Sequence, residues 1–347
     1  MTNPTTPTTP NATPSNATKP IVAIGSMGGT IAMAPATEGA GVSPTLGADE
    51  LIAAVPEIAE IAEIHSRSIC NVGSPSMTFG HLLEALQFAR DEVDAGAAGV
   101  VLTHGTDTLE ESAFLLDLLW DRPEPLVFTG AMRSAEEAGA EGPANLLAAV
   151  ITAATPALRD YGVLVALDDE VHLAATVTKS HANALWTFKS PDWGPVARIV
   201  ENRARVRMAP VRRLPALPTP ASIDGQVPIF EMGLEDDGRF ITADVAAGLD
   251  AFVMAGAGTG HVTVKMAEAL GNAVAAGVPV ILCTRQGSGT TTVHTYDYPG
   301  SEMDLLQRGV LAAGYLSPRK ARILALVLTA NGASMDDIRR ELDLRGE

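Results

Sequence analysis

From residue 20 onward the chain alternates short apolar runs with longer stretches of helical period, and that alternation leaves few folds open. The runs IVAI at 21 to 24, Ile61 to Cys70, Gly99 to Thr103, Pro125 to Thr129 and GVLVALDD at 162 to 169 suit buried strands, with Val171 to Val177 as another. Between them Gly47 to Val55, Thr78 to Ala95, Thr108 to Trp120 and Gly142 to Ala154 repeat apolar residues at helical spacing. Strand and helix in turn predict an α/β fold with a doubly wound, mainly parallel sheet, because a parallel neighbour is reached only through a long crossover. Hydrophobic residues make up 46% of the chain and aromatics only 4%, so Ala, Val, Leu and Ile must fill the interior. Sheets buried on both faces have that composition.

The 347 residues exceed one ordinary core and predict two domains of unequal size. Met208 to Gln226, rich in Pro and Arg, keeps no period and reads as a linker at 208–226. It separates a larger N-terminal α/β domain at 20–207 from a smaller C-terminal α/β domain at 227–347. In the second the alternation resumes with Pro228 to Met232, a helix near Thr242 to Leu249, AFVMAG at 251 to 256, a helix from His261 to Ala275 and VPVILCT at 278 to 284. Ser317 as N-cap and Pro318 at the first helical position open a helix, and Ser334 to Leu344 reads as the last one. Residues 1–19, almost all Thr, Pro and Asn, read as a disordered tail.

Charge and residue usage narrow the function classes. Forty-one acidic residues against 24 basic give a formal charge of -17, which repels nucleic-acid backbones and anionic headgroups. No apolar run approaches the roughly 18 residues of a membrane span. The tail lacks the apolar segment of a secretory signal, so a cytoplasmic protein is expected. Cys70 and Cys283 stand far apart and read as buried thiols. His104 has no second histidine or carboxylate at ligand spacing, so it reads as structural and no metal site is expected.

Ligands of such sheets collect beyond the carboxyl ends of the strands, and there the polar residues gather. Gly28-Gly29-Thr30, Gly73-Ser74 and His104-Gly105-Thr106-Asp107-Thr108 each follow an expected strand, and Thr178-Lys179-Ser180 follows the strands near 170. Amide hydrolysis needs a nucleophile, a group that takes its proton and donors facing the oxyanion. A threonine beside a partly desolvated lysine, oriented by an aspartate, supplies the first two. Glycines on either side let backbone N–H groups come close to a substrate. Singly the loops are unremarkable: 25–29 lacks the GxGxxG spacing and reads as a tight turn, and Thr106-Asp107-Thr108 fits helix N-capping as well as catalysis.

Taken together these segments resemble a known family. Ile24 to Ala32 (IGSMGGTIA) resembles the first signature of the bacterial-type L-asparaginases, and Leu102 to Glu111 (LTHGTDTLEE) the second. Asn71-Val72-Gly73-Ser74, Thr129 to Arg133, Val177-Thr178-Lys179, Phe188-Lys189-Ser190 and Pro318 to Arg322 are similar in family order, over about residues 20 to 347.

The resemblance implies hydrolysis of the side-chain amide of L-asparagine through a threonine acyl-enzyme, without metal or organic cofactor. By position it makes Thr30 the usual nucleophile and Thr106, Asp107 and Lys179 a second threonine relay, leaving open which threonine attacks. It places Gly29, Ser74, Pro75, Gly105, Thr106, Asp107 and Ala131 around the substrate, with Ser74 at the α-carboxylate, Asp107 at the α-ammonium and the Ala131 carbonyl at the carboxamide. It also implies a homotetramer whose sites a neighbouring subunit completes. Departures are visible: the loop Met33 to Thr45 lacks the family tyrosine, Pro75 replaces a frequent glutamine, and Thr259-Gly260-His261 stands where an asparagine is usual. Tyr296, Glu302 and Thr259 are the residues expected to substitute from the neighbour. The alternatives are a broader asparaginase/glutaminase that also takes L-glutamine, an amidotransferase component, and a non-catalytic amino-acid-binding module.

Overall fold

The computed structural model describes residues 18–35, 42–44, 47–208, 213–241 and 248–347. The tail read at 1–19 and the helix read near Thr242 lie almost wholly outside those residues, as do 209–212 of the linker and most of the loop from Met33.

The strands in chain order are β1 (Ile21–Gly28), β2 (Met33–Pro35), β3 (Val42–Pro44), β4 (Glu63–Val72), β5 (Gly99–Thr103), β6 (Leu126–Thr129), β7 (Val163–Leu167), β8 (Glu170–Leu173), β9 (Thr178–Lys179), β10 (Phe188–Lys189), β11 (Ala197–Val200), β12 (Arg203–Val206), β13 (Ile229–Glu231), β14 (Phe252–Gly256), β15 (Val280–Thr284) and β16 (Leu311–Ala312). The helices used below are α1 (Ala48–Ala53), α2 (Ile58–Ile61), α3 (Phe79–Asp94), α4 (Leu109–Leu119), α5 (Gly142–Ala153), α6 (Val264–Ala275), α7 (Glu302–Gln307), α8 (Pro318–Ala330) and α9 (Met335–Arg345).

A large sheet runs in the order β12-β11-β8-β7-β6-β5-β1-β4, and a smaller one in the order β13-β14-β15-β16. Strands β4, β1, β5, β6 and β7 are parallel, as is the whole small sheet. Alternate residues of the central strands face opposite cores: Ala23, Leu102 and Phe128 join one, Ile24, Val101 and Val127 the other. Helices α3 and α4 cover the first face, α1, α2 and α5 the second. Both faces are therefore dry, which is why these strands read as continuous apolar runs.

The antiparallel edge formed by β8, β11 and β12 departs from the sequence reading. Val171 to Val177 is not one strand: the Thr176 and Val177 amides turn back to the Leu173 carbonyl at 3.1 and 3.0 Å, and β9 is a separate element. Two tight hairpins build this edge. Asp168 and Asp169 join β7 to β8 at φ 52° and 57°, and Glu201 and Asn202 join β11 to β12 at 52° and 54°. Two successive positive φ values make the type I′ geometry that suits the strand twist.

Helix α8 ties the two sheets together. Leu324 and Leu328 share one core with Phe114 and Leu118 of α4 and with Val253 and Ile281 of the small sheet. Its start is as read: Ser317 Oγ accepts from the Lys320 amide and Pro318 is the first helical residue. Of the two cysteines, Cys283 is fully buried, which pushes its thiol up, while Cys70 is only half-buried, with Sγ 3.6 Å from the Met27 carbonyl.

Candidate active site

Four loops leave the carboxyl ends of β1, β4, β5 and β6 and touch one another directly. Gly29, at φ 84°, packs flat against the next loop: a Cβ there would drive into the Gly105 N and Cα and come within 2.7 Å of the His104 carbonyl carbon. Its amide donates to the Val72 carbonyl at 3.3 Å, tying it to the end of β4. Gly105 in turn faces Ser74, whose Oγ would lie 2.7 Å from a Cβ at that position. The Gly130 Cα lies against the His104 carbonyl, and the His104 amide donates to Thr129 at 2.8 Å. Only residues without a Cβ allow backbones this close.

The side chains follow from that contact. Thr30 opens a 3-10 turn, Thr30–Ala32, one residue after Gly29, and is half-buried. Thr106 stands one residue after Gly105 and is 6% exposed. The buried Ser74 hydroxyl accepts the Asp107 amide at 3.2 Å. Ala131 is buried and, with Ile31 next to Thr30, closes on Gly142 at the start of α5. Thr108 is the N-cap residue of α4, but its hydroxyl donates to the Ser74 carbonyl at 2.8 Å and caps nothing. The capping explanation of Thr106-Asp107-Thr108 is thereby corrected, since this segment binds the neighbouring loop.

Lys179 reaches the same place from β9. Its Nζ lies 3.0 Å from Thr106 Oγ1 and 2.7 Å from Asp107 Oδ1. The lysine side chain is 13% exposed and the aspartate 63%, so one carboxylate both holds the amine and faces solvent. Pro75 looks elsewhere: with Phe79, Glu111 and Arg322 it lines a cavity of about 540 Å³ that reaches Ser74 and Thr108 from the α3 and α4 side. Burial raises the Glu111 carboxyl there.

Tyr296, Glu302 and Thr259 form a separate network in the smaller domain. Glu302 Oε1 accepts the Thr295 and Tyr296 amides at 3.0 and 2.7 Å and the Thr292 hydroxyl at 3.1 Å. Its Oε2 lies 3.1 Å from His261 Nε2, and Thr259 Oγ1 is 3.2 Å from the same nitrogen. Tyr298 OH sits 2.9 Å from His261 Nδ1, and the Tyr296 ring stacks edge-on to that imidazole at 4.8 Å. Among the described residues none of these groups hydrogen-bonds Thr106, Asp107 or Lys179. Glu302 is 0% exposed and fully engaged by these groups, and it holds the loop from which Tyr296, 43% exposed, projects.

Sequence reasoning passed over four supporting residues. Glu141 Oε1 takes the Met132 amide, and Asn145 donates to the Gly130 carbonyl at 2.9 Å, so both fix the loop after β6. Glu110 and Arg319 meet each other and the Lys179 segment. A signal existed for Glu110, a carboxylate among Leu109, Ala113 and Phe114 on a helix face that is otherwise core. Among the described residues no three His, Cys, Asp or Glu side chains cluster as metal ligands.

The histidine of this loop is structural and carries a pH consequence. His104 is 0% exposed with Nδ1 2.7 Å from the Gly105 carbonyl, so Nδ1 bears the proton and donates, while Nε2 is buried without a partner. Desolvation lowers its pKa from 6.5 to about 4, and burial does the same to His172. Between those values the unfolded chain binds protons that the native chain refuses. Stability is therefore full above pH 6.5 and falls as the pH drops toward 4, by up to roughly 3 kcal/mol for each histidine. Urea unfolding from pH 7 to 4.5 should show that decline, and His104→Asn should shrink its slope; an unchanged slope would remove His104 as a cause.

Comparison with known proteins points to one family. A family model described as "Asparaginase, N-terminal" matches residues 21–212, and one described as "Glutaminase/Asparaginase C-terminal domain" matches 226–342. The chain is 35% identical over 328 residues to a probable L-asparaginase of Deinococcus radiodurans, covering 93% of this chain and 97% of that one. To L-asparaginase 2 of Escherichia coli it is 33% identical over 318 residues, 88% and 87% of the two chains. The crystal structure of a probable cytoplasmic L-asparaginase from Campylobacter jejuni superposes with a TM-score of 0.82 at 29% identity, over 93% of this chain and 99% of that one.

Proposed function

Since the chain belongs to the asparaginase family, we propose that it hydrolyses the side-chain amide of L-asparagine to L-aspartate and ammonia where Thr30, Thr106, Asp107 and Lys179 gather. The observation that carries this reading is the Lys179 amine, 3.0 Å from the Thr106 hydroxyl and 2.7 Å from the Asp107 carboxylate. A threonine oxygen attacks the carboxamide carbon while its proton passes to the amine form of Lys179. The tetrahedral oxyanion collapses, the nitrogen takes that proton and leaves as ammonia, and an aspartyl ester remains on the threonine. Water then attacks the ester by the same route in reverse, releasing L-aspartate and restoring the hydroxyl.

Backbone N–H groups of the Thr30 and Thr106 loops are the proposed oxyanion donors, held close by the contact of Gly29 with Gly105. Ser74 and the exposed face of Asp107 suit the α-carboxylate and α-ammonium of a free amino acid. Gly29, Gly105 and Ala131 complete the walls, with Pro75 behind Ser74. The relay gives the Thr106 hydroxyl a proton acceptor at 3.0 Å, and the turn of Thr30 lies in contact with that loop through Gly29 and Gly105.

Further parts of the reading are a homotetramer, a cytoplasmic site of action, and Tyr296, Glu302 and Thr259 as the neighbour's contribution, Glu302 by holding the loop that carries Tyr296. An order of 20–207, 208–226 and 227–347 for catalytic domain, linker and smaller domain fits the two sheets. Ammonia release by the purified chain alone, with Asn, Gln and their D-forms, tests the activity. Ammonia release from L-Asn is expected; binding of L-Asn in calorimetry without ammonia would replace the enzyme with a sensor.

A further inference from the structure

The lysine of the site stands on little secondary structure for a group that must hold an ångström-scale position. Strand β9 is two residues long and pairs only with the two residues of β10, Phe188 with Lys179 and Lys189 with Thr178. A ladder that short is marginal by itself. What holds this segment comes from elsewhere in the chain. The Lys179 amide donates to Glu110 Oε2 at 2.5 Å and the Thr178 hydroxyl donates to the same oxygen at 2.7 Å. Glu110 is 2% exposed and sits in the first turn of α4, directly behind the loop that carries Thr106 and Asp107.

A buried carboxylate needs a counter-charge, and Arg319 brings it from the smaller domain: its Nε donates to Glu110 Oε1 and its Nη2 to Thr178 Oγ1 at 3.4 Å. The next residue, Lys320, is 3% exposed, and its Nζ donates to the Ala175 and Val177 carbonyls at 2.8 and 2.7 Å. Both cations lie in the first turn of α8, where the helix dipole disfavours positive charge. Helix formation therefore does not explain them, whereas acceptors along 175–179 do.

We infer that Glu110, Arg319 and Lys320 are positioning residues for Lys179, through which the smaller domain sets the distance between the Lys179 amine and Thr106 in the same chain. This rests on the reading of Lys179 as the proton acceptor. Arg319 is the residue to test, because its side chain is half-exposed; circular dichroism and urea unfolding of each variant set the conditions in which it is fully folded, and kinetics are read there. In Arg319→Met kcat for L-Asn should fall on the order of 10- to 100-fold, the scale of a small misplacement of a reacting group. KM and the calorimetric Kd for L-aspartate should stay within about threefold, and Arg319→Lys, which keeps the charge and one donor, should recover much of the loss. The deciding measurement is a double-mutant cycle with Lys179→Met. If Arg319 acts through Lys179, adding Arg319→Met to Lys179→Met costs nothing more. The same fold loss in both backgrounds, or kcat of Arg319→Met within twofold of wild type, overturns the inference. Lys179→Met that turns over at the wild-type rate would instead strike the reading of Lys179 itself, and the clamp with it.

Discussion

Thr106→Ala and Thr30→Ala should each lower kcat for L-Asn by roughly 10³-fold or more while the protein remains folded and still binds L-aspartate. For Thr106 the loss follows from the relay: its hydroxyl is the one within 3.0 Å of the Lys179 amine, and a methyl group gives that amine nothing to deprotonate. Thr30 is argued from position. It stands one residue from Gly29, and Gly29 is pressed on Gly105, so the two hydroxyls leave from turns in mutual contact. Steady-state kinetics with circular dichroism and L-aspartate calorimetry measure the three quantities separately. Near-normal turnover in either variant removes that threonine from the chemistry. Acid quenching during turnover, followed by peptide mapping of the aspartyl ester, then identifies which hydroxyl attacks. An ester on Thr106 would match the partner seen for it here, and an ester on Thr30 would leave the Lys179 relay to serve the water that follows.

Much of this site could be read from the chain because its parts obey local rules. Gly99–Thr103 is a strand whose bounds coincide with its apolar run, since both faces are buried and the run stops where the polar loop begins. Ser317 and Pro318 announce α8, and Thr78 announces α3 by accepting the His81 amide, because caps are chemistry within four residues. The antiparallel edge was not legible in the same way. Asp168-Asp169 and Glu201-Asn202 turn with both residues at positive φ but without the glycine that usually marks such turns. Glu110 stands in the second signature with no role legible from the chain, because its partners are 69 and 209 positions away. Tertiary pairing of that kind leaves no period to detect. The same holds for Glu302, whose burial depends on Thr292, Thr295, Tyr296 and His261 arriving together.

Gly29→Ala should damage both stability and turnover, although it adds a single methyl group. The residue sits at φ 84°, where an L-residue costs about 1–2 kcal/mol from its own backbone. The added carbon also meets main-chain atoms of His104 and Gly105, which cannot rotate away as a side chain would. Gly96 separates the two effects: at φ 108° it carries the same kind of conformational strain, yet a Cβ there meets nothing within 4 Å. Gly96→Ala should thus lose about 1–2 kcal/mol in urea unfolding and keep full turnover. Gly29→Ala should lose roughly 2–4 kcal/mol, because relief of the clash forces the first loop off the second. Its kcat should drop on the order of 100-fold even in conditions where it is fully folded, since Thr30 moves with the loop away from Thr106 and Lys179. If the folded variant hydrolysed L-Asn at the wild-type rate, contact between the two loops would be irrelevant to catalysis, and Thr30 could be no part of the same cavity as the lysine.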